Sequence, residues 1–387
     1  MLSHAPAHRR KSVFGLYLRA ALFAGTAAIG VAAPASADYI KVTNLVTDDQ
    51  SVNSAQITDP SLVNAWGISY SPTSPFWVSD NGTGVSTLYR VNPATNATTK
   101  IGLTVTIPGD GSVSGQAFNS ATGSGAFNGD SFLFVSEDGT VSGWRGALGS
   151  TAETLQIASS ANLYKGATFA TTGGHSYLYV ANFASGNIDV MKGDAGAPNL
   201  TGTFTDPSMP AGYAPFNVQV LHGSIFVTFA QQVSGSEDEA HGAGLGIVDQ
   251  FDLNGNLIAR VGTGGKLDAP WGLAIAPASF GWAAGDLLVG NFGDGTVSVF
   301  DIATDKFLGQ LKNQNGSALS LEGLWGLIPG NGGGAGSMDS IYFSAGPGDE
   351  GHGLFGALSF VPEPATLLLF ASGLLGFAFR RRVKLRA

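Results

Sequence analysis

The sequence predicts an all-β fold, a six-bladed β-propeller of four-stranded antiparallel blades, and three observations carry that expectation. One unit of short strands recurs along most of the chain. A small or polar residue marks the first strand of each unit at nearly constant spacing. Glycine, 56 of 387 residues, is about twice ordinary usage, as a fold made of tight turns demands. With 44% hydrophobic and 10% aromatic residues the chain can still build a core. Blades of this kind cannot bury their own faces and must stack on neighbours.

The clearest unit runs from Ala269 to Asp301. An apolar run from Trp271 to Ala276 leads through Pro277 and a Gly-bearing turn into Asp286 to Asn291. Gly293-Asp294-Gly295 then turns the chain into Thr296 to Phe300, and an outer strand follows at Phe307 to Leu311. The anchors of the six units are Gly67, Gln116, Gly166, Asn217, Gly272 and Gly326, separated by 49, 50, 51, 55 and 54 residues. Second strands are expected at residues 76–80, 132–137, 177–182, 225–230, 286–291 and 341–345.

The run from Tyr39 to Val46 precedes the first unit, and the third strand of unit six, Leu354 to Phe360, leaves no room for an outer strand. The N-terminal run is therefore expected to complete the last blade and close the ring. No cysteine is present, so burial and closure, rather than disulfides, must hold the fold.

Residues 1–37 read as a signal peptide outside the fold. Arg9, Arg10 and Lys11 precede an apolar run, and Ala35-Ser36-Ala37 supplies a small-residue cleavage pattern. The Arg9-Arg10 pair leaves the twin-arginine route open beside ordinary Sec export. The propeller is assigned to residues 38–360, which hold ten Lys and Arg against 27 of the 28 acidic residues. So acidic a body is repelled by phosphate backbones, which excludes nucleic acid as a partner.

Residues 361–387 form a third segment. Val361-Pro362-Glu363-Pro364 is followed by an apolar run from Ala365 to Phe379 and then by Arg380-Arg381-Arg382. As a helix the run would reach about 22 Å, short of the roughly 30 Å hydrocarbon core, so it makes a short transmembrane segment. The arginines would keep its end cytoplasmic and the propeller outside the inner membrane. This arrangement resembles the PEP-CTERM sorting signal, with Pro362, Glu363 and Pro364 on the motif itself. The resemblance implies export through the secretion machinery, recognition and tail removal by an exosortase, and release or attachment at the cell surface. It also brings in an exopolysaccharide-rich extracellular matrix.

Within the propeller, Trp66-Gly67-Ile68, the run from Ser79 to Tyr89, Gly212 to Asn217, and Leu288 to Gly295 resemble an uncharacterised family of secreted propellers that often carry this tail. That family implies a fold and no activity.

Position must then supply the chemistry. Loops after the second strands and before the anchors are expected at one mouth of the central channel. Asp80, Glu137, Asn182 and Asn291 are candidate mouth residues, with Asn64, Lys165, Asp268 and Glu322 beside them. Asn and Asp are also ordinary turn residues at strand ends. A sharper pattern, D-E-x-H-G, occurs at Asp238-Glu239-Ala240-His241-Gly242 and again at Asp349-Glu350-Gly351-His352-Gly353. Its carboxylates and imidazoles are candidate ligands for calcium or another divalent cation, although solvated Gly-rich turns would read the same way. No nucleophile elbow, P-loop or dinucleotide fingerprint is present.

Two functions compete. One is a non-enzymatic binding or matrix protein that presents the channel mouth to a glycan, a peptide or a surface protein. The other is a calcium-dependent hydrolase of the lactonase type, in which Asp80, Glu137, Asn182 and Asn291 would hold the metal, a comparison that rests on fold analogy.

Overall fold

The computed structural model describes residues 38–362. The signal segment, with Ala35 and Ala37, and the tail from Glu363 onward, with Pro364 and Arg380 to Arg382, lie outside the described residues. So does the apolar run expected to form a transmembrane helix; among the described residues no helix is long and apolar enough to cross a membrane.

Six antiparallel sheets follow one another along the described chain. Blade 1 comprises Ala65–Ser69, Phe76–Asp80, Val85–Val91 and Thr98–Thr106, and blade 2 Val113–Phe118, Phe132–Ser136, Val141–Trp144 and Glu153–Gln156. Blade 4 is built from Tyr213–Leu221, Ser224–Gln231, Ile247–Phe251 and Leu257–Thr263, and blade 5 from Pro270–Ile275, Leu287–Asn291, Val297–Asp301 and Lys306–Gln310. Neighbouring inner strands touch all the way round, blade 6 returning to blade 1. The expected count of six is the observed one.

Blade 3 departs from the four-strand expectation, having only Tyr164–Thr172, His175–Asn182 and Asn187–Lys192. The chain that follows carries Pro198, Pro207 and Pro210, which cannot donate to a ladder. It crosses instead to blade 4, where the Gly202 and Phe204 amides donate to Asn254 and Gly255. Ala197 and Phe204 are buried there among Tyr179, Val227 and Phe251.

Blade 6 is closed as expected. Leu324–Pro329, Ser340–Ala345 and Leu354–Val361 are joined by Tyr39–Thr47, which runs antiparallel to the last of them from Tyr39 opposite Val361 to Thr47 opposite Leu354. The two-residue strand Ile57–Thr58 adds a parallel edge to Tyr39–Thr47. Leu45 and Val46 are completely buried, so the closing strand contributes core as well as hydrogen bonds.

The anchors acquire a physical meaning. Each inner strand shifts register against its second strand at the anchor: around Gly67, at Gln116, Gly166, Asn217 and Gly272, and around Gly326. These bulges bend the inner strands where six of them converge on the axis. Space there is scarce. A Cβ on Gly67 would stand 2.7 Å from the Ser114 carbonyl oxygen, and one on Gly272 2.6 Å from that of Trp325. The polar anchors cross between blades, Gln116 donating to the Gly67 carbonyl at 2.7 Å and Asn217 to that of Trp271 at 2.7 Å.

The second strands of blades 1, 2 and 5 are buried on both faces, since each lies between two neighbouring blades. Outer strands such as Lys306–Gln310 are mostly exposed. One further cluster sits on the axis itself: Trp66, Trp271, Trp325, Phe183, Phe216 and Phe292 close the channel beneath its mouth. Trp325 stacks with Trp66 at 3.7 Å and with Phe292 at 3.9 Å, which adds about 0.5–1.5 kcal/mol per pair to the burial itself.

Candidate functional site

Above this aromatic plug lies an open cavity of about 480 Å³ to which all six blades contribute. Trp66 comes from blade 1, Glu137 from blade 2, Lys165 from blade 3, Phe292 from blade 5, and Trp325 and Glu350 from blade 6; the long blade 4 loop supplies Val233, Glu237, Asp238, Glu239 and His241. The volume falls in the range of small-ligand sites.

Each side chain is delivered by a defined local structure. Glu137 follows the last residue of its second strand, and its amide donates to the Ser112 carbonyl at 3.1 Å. Its carboxylate receives Lys165 Nζ at 2.6 Å and Asn81 Nδ2 at 3.0 Å. Asn64, in a left-handed backbone conformation, donates to Glu350 Oε2 at 2.6 Å and to Asn81 Oδ1 at 3.2 Å. Asn64 Oδ1 in turn accepts the Trp325 indole N–H at 3.1 Å. A continuous polar chain thus runs round the wall from Lys165 through Glu137, Asn81 and Asn64 to Glu350.

The blade 6 loop is strained to place Glu350. Gly348, Asp349 and Glu350 all have positive φ, a conformation that costs non-glycine residues of the order of 1 kcal/mol each. The loop is pinned by Gly348 N donating to Glu322 at 3.0 Å, by His352 Nδ1 on Asp48 at 2.8 Å, and by Asn64 N on the His352 carbonyl at 3.0 Å. In blade 4, Ala240 N returns to the Gln231 carbonyl at 2.7 Å and Gly242 N to Asp268 at 2.8 Å. Glu239 is thereby buried while His241 stands half exposed, with Nε2 3.2 Å from Glu239 and its ring edge-on to Phe292.

The electrostatics follow from three carboxylates round one buried ammonium. Burial pulls the Lys165 pKa down, but Glu137, Glu239 and Glu350 outweigh it, and the net shift is upward. The ammonium also lies 5.2 Å from the centre of the Trp66 ring, where the ring face attracts a cation. Glu350 is raised by burial, opposed by the Asn64 hydrogen bond and reinforced by Glu239 and Glu137. His241 is raised by its hydrogen bond to Glu239, which burial opposes.

The structure divides the residues expected from sequence. Glu137, Lys165, Asp238, Glu239, His241 and Glu350 line the cavity, and Asn64 stands behind it. Asp80, Asn182 and Asn291 do not line it. Asn182 binds Asn162 and Asp189, Asn291 binds Lys266 and Thr296, and burial holds the Asp80 carboxyl well above the usual carboxylate range. The two D-E-x-H-G loops each bring their glutamate, Glu239 and Glu350, to the cavity, but their other members part. His241 faces Glu239 whereas His352 faces Asp48, Asp238 is engaged by Ser236, and Asp349 lies off the cavity. Among the described residues no group of three or more His, Asp or Glu could hold a metal ion. Sequence reasoning missed the aromatic wall. Its signal was available in Trp66-Gly67, Trp271-Gly272 and Trp325-Gly326, where a tryptophan precedes the anchor in three units.

Comparison with known proteins decides the tail. A family model described as the PEP-CTERM protein-sorting motif matches residues 360–382. The chain carries that sorting motif. This PEP-CTERM propeller chain is 28% identical over 328 residues to an uncharacterized protein of Acanthamoeba polyphaga mimivirus, covering 79% of this chain and 77% of that one. A second mimivirus protein, also uncharacterized, is 37% identical over 123 residues, 32% of this chain and 23% of its own length. Among solved structures, the PQQ-bound aldose sugar dehydrogenase of Streptomyces coelicolor superposes with a TM-score of 0.50 at 16% identity, over 85% of this chain and 100% of the other. That likeness is one of fold alone.

Proposed function

We propose that the PEP-CTERM propeller is an exported binding protein of the cell surface or extracellular matrix, and that it takes its ligand in the cup at the channel mouth. Residues 1–37 direct export as a signal peptide cleaved after Ala37. Residues 361–387 hold the protein at the inner membrane until an exosortase removes the tail. The matched sorting motif supports this route. The observation that carries the binding reading is the convergence of all six blades on one open, polar-walled cavity above a closed aromatic floor. A surface fixed from six directions is preorganised, which limits what binding costs in ordering.

The calcium-dependent hydrolase is the weaker reading, because three of its four candidate ligands, Asp80, Asn182 and Asn291, are buried away from the cup, the last two held by internal hydrogen bonds. Val233, exposed on the cavity rim, gives a direct test. Val233→Trp should fill the mouth without touching the core and abolish retention of the protein on isolated envelope or secreted exopolysaccharide. Unchanged retention would place the binding surface elsewhere.

A further inference from the structure

We infer that the cup recognises a primary ammonium group carried by its ligand. This deepens the binding reading above and rests on it. Four observations narrow the chemistry.

Charge comes first. Glu137, Glu237, Asp238, Glu239 and Glu350 stand on the cavity wall against Lys165 and His241. Lys165 is already spent, because its ammonium pairs with Glu137 at 2.6 Å and with no other carboxylate among the described residues. The surplus on the wall is negative, so a carboxylate, sulfate or phosphate is repelled.

The second observation is a pair of free acceptors. The Glu239 side chain is only 6% exposed, and of its two oxygens Oε1 alone is engaged, by His241 at 3.2 Å. Glu350 accepts from Asn64 on Oε2 at 2.6 Å and forms no ion pair among the described residues. Glu239 Oε2 and Glu350 Oε1, on two residues that line the cup, thus have no hydrogen-bond partner among the described residues. A buried carboxylate left half satisfied is costly. A hydroxyl would answer the free oxygen and leave the charge, whereas an N–H cation answers both. Burial raises the Glu350 pKa; the Asn64 bond opposes that rise, and Glu239 and Glu137 add to it. A cation beside these carboxylates would offset their repulsion.

The kind of cation follows from spacing and from which oxygens remain. Among the described residues no group of three or more His, Asp or Glu could hold a metal ion. The carboxylates are spread round a cavity of about 480 Å³ rather than gathered on one point, which suits separate N–H bonds. A guanidinium grips best when it takes both oxygens of one carboxylate. That grip is blocked on all three buried glutamates, since Lys165 and Asn81 take both oxygens of Glu137, and His241 and Asn64 take one each of Glu239 and Glu350. An ammonium needs a single oxygen from each partner.

The purified full-length chain, titrated by calorimetry with putrescine, its diacetyl derivative, its bis-guanidino analogue and calcium chloride, tests the inference. Saturable binding of putrescine is expected, with weaker binding of the bis-guanidino analogue and none of the diacetyl derivative or calcium. Glu350→Gln and Glu239→Gln, both near-isosteric and set in loops of different blades, should each weaken putrescine binding about tenfold. One serves if the other fails to fold, and the probe series on the unaltered chain stands without either. The diacetyl derivative bound as well as putrescine, calcium bound in its place, or the bis-guanidino analogue bound more tightly would overturn the ammonium assignment. So would putrescine binding that never saturates, or that both substitutions leave untouched. If putrescine does not bind while Val233→Trp still abolishes envelope retention, the ammonium inference fails and the binding reading stands; if retention is also indifferent to Val233→Trp, both fail.

Discussion

Asp130 and Asp249 are buried carboxylates, each held by one arginine. Arg145 Nη1 reaches Asp130 at 2.7 Å and Glu153 at 2.6 Å; Arg260 Nε reaches Asp249 at 2.8 Å while its Nη2 bonds Asp206. For both aspartates burial is the larger influence, the arginine bonds opposing it and the second acid reinforcing it, and both pKa values rise to about 6. A carboxyl raised from 3.8 in the unfolded chain to about 6 in the fold binds its proton more tightly when folded. Its stabilisation is therefore complete below pH 3.8 and is lost as pH rises through about 6. For Asp249 the difference corresponds to at most about 3 kcal/mol. Asp249→Asn should remove that component, so that urea unfolding of parent and variant diverges as pH falls from 7 to 4, the parent gaining more. Parallel profiles over that window would show that Asp249 titrates normally. At this scale the sequence revealed residue types but not directions. Asp80, Glu137, Asn182 and Asn291 all sit at or just beyond second-strand ends, yet only Glu137 lies one residue past its strand, free to turn toward the axis.

The strand Tyr39–Thr47 is the element on which closure depends. It satisfies the open edge of Leu354–Val361 along its length, and the Ile40 amide reaches the Lys312 carbonyl of blade 5 at 2.7 Å. Removing it would expose a long flat edge and the partners of Leu45 and Val46. A chain starting at Ser51 is expected to aggregate or to lose its single cooperative thermal transition; a soluble product melting like the parent would refute closure by this strand. Elements were the most legible level. The anchors recur because a bulged inner strand near a crowded axis tolerates only small residues or cross-blade donors, and that constraint repeats with every blade. Blade 3 escaped because its missing outer strand is a matter of prolines between Gly193 and Gly212, which shift no anchor. The D-E-x-H-G loops were legible in part: both glutamates reach the cup, but one histidine is captured by Asp48 from the N-terminal segment, a neighbour no local pattern announces.

For the whole molecule, the propeller, the matched sorting motif and the acidic surface describe a protein handed from the inside of the cell to its exterior. Replacing Pro362-Glu363-Pro364 by three alanines should leave the propeller folded and exported but block tail removal, so that a full-tail form accumulates in the inner membrane. Fractionation and mass measurement of the intact chain check this. A product processed and located like the parent would mean that the matched motif is not what the protease reads.

The register of the closing strand bears on that processing. Val361 still pairs with Tyr39, while the sorting motif already begins at residue 360. No tether separates the folded ring from the stretch a protease must grip. The Phe360 ring even packs back onto Phe280 of blade 5. An enzyme cutting at Pro362-Glu363-Pro364 must therefore come within a residue or two of the seam where the first and last strands meet. An enzyme acting there would meet the rim of a finished propeller, and a chain whose ring has not shut would present a different object at the same address.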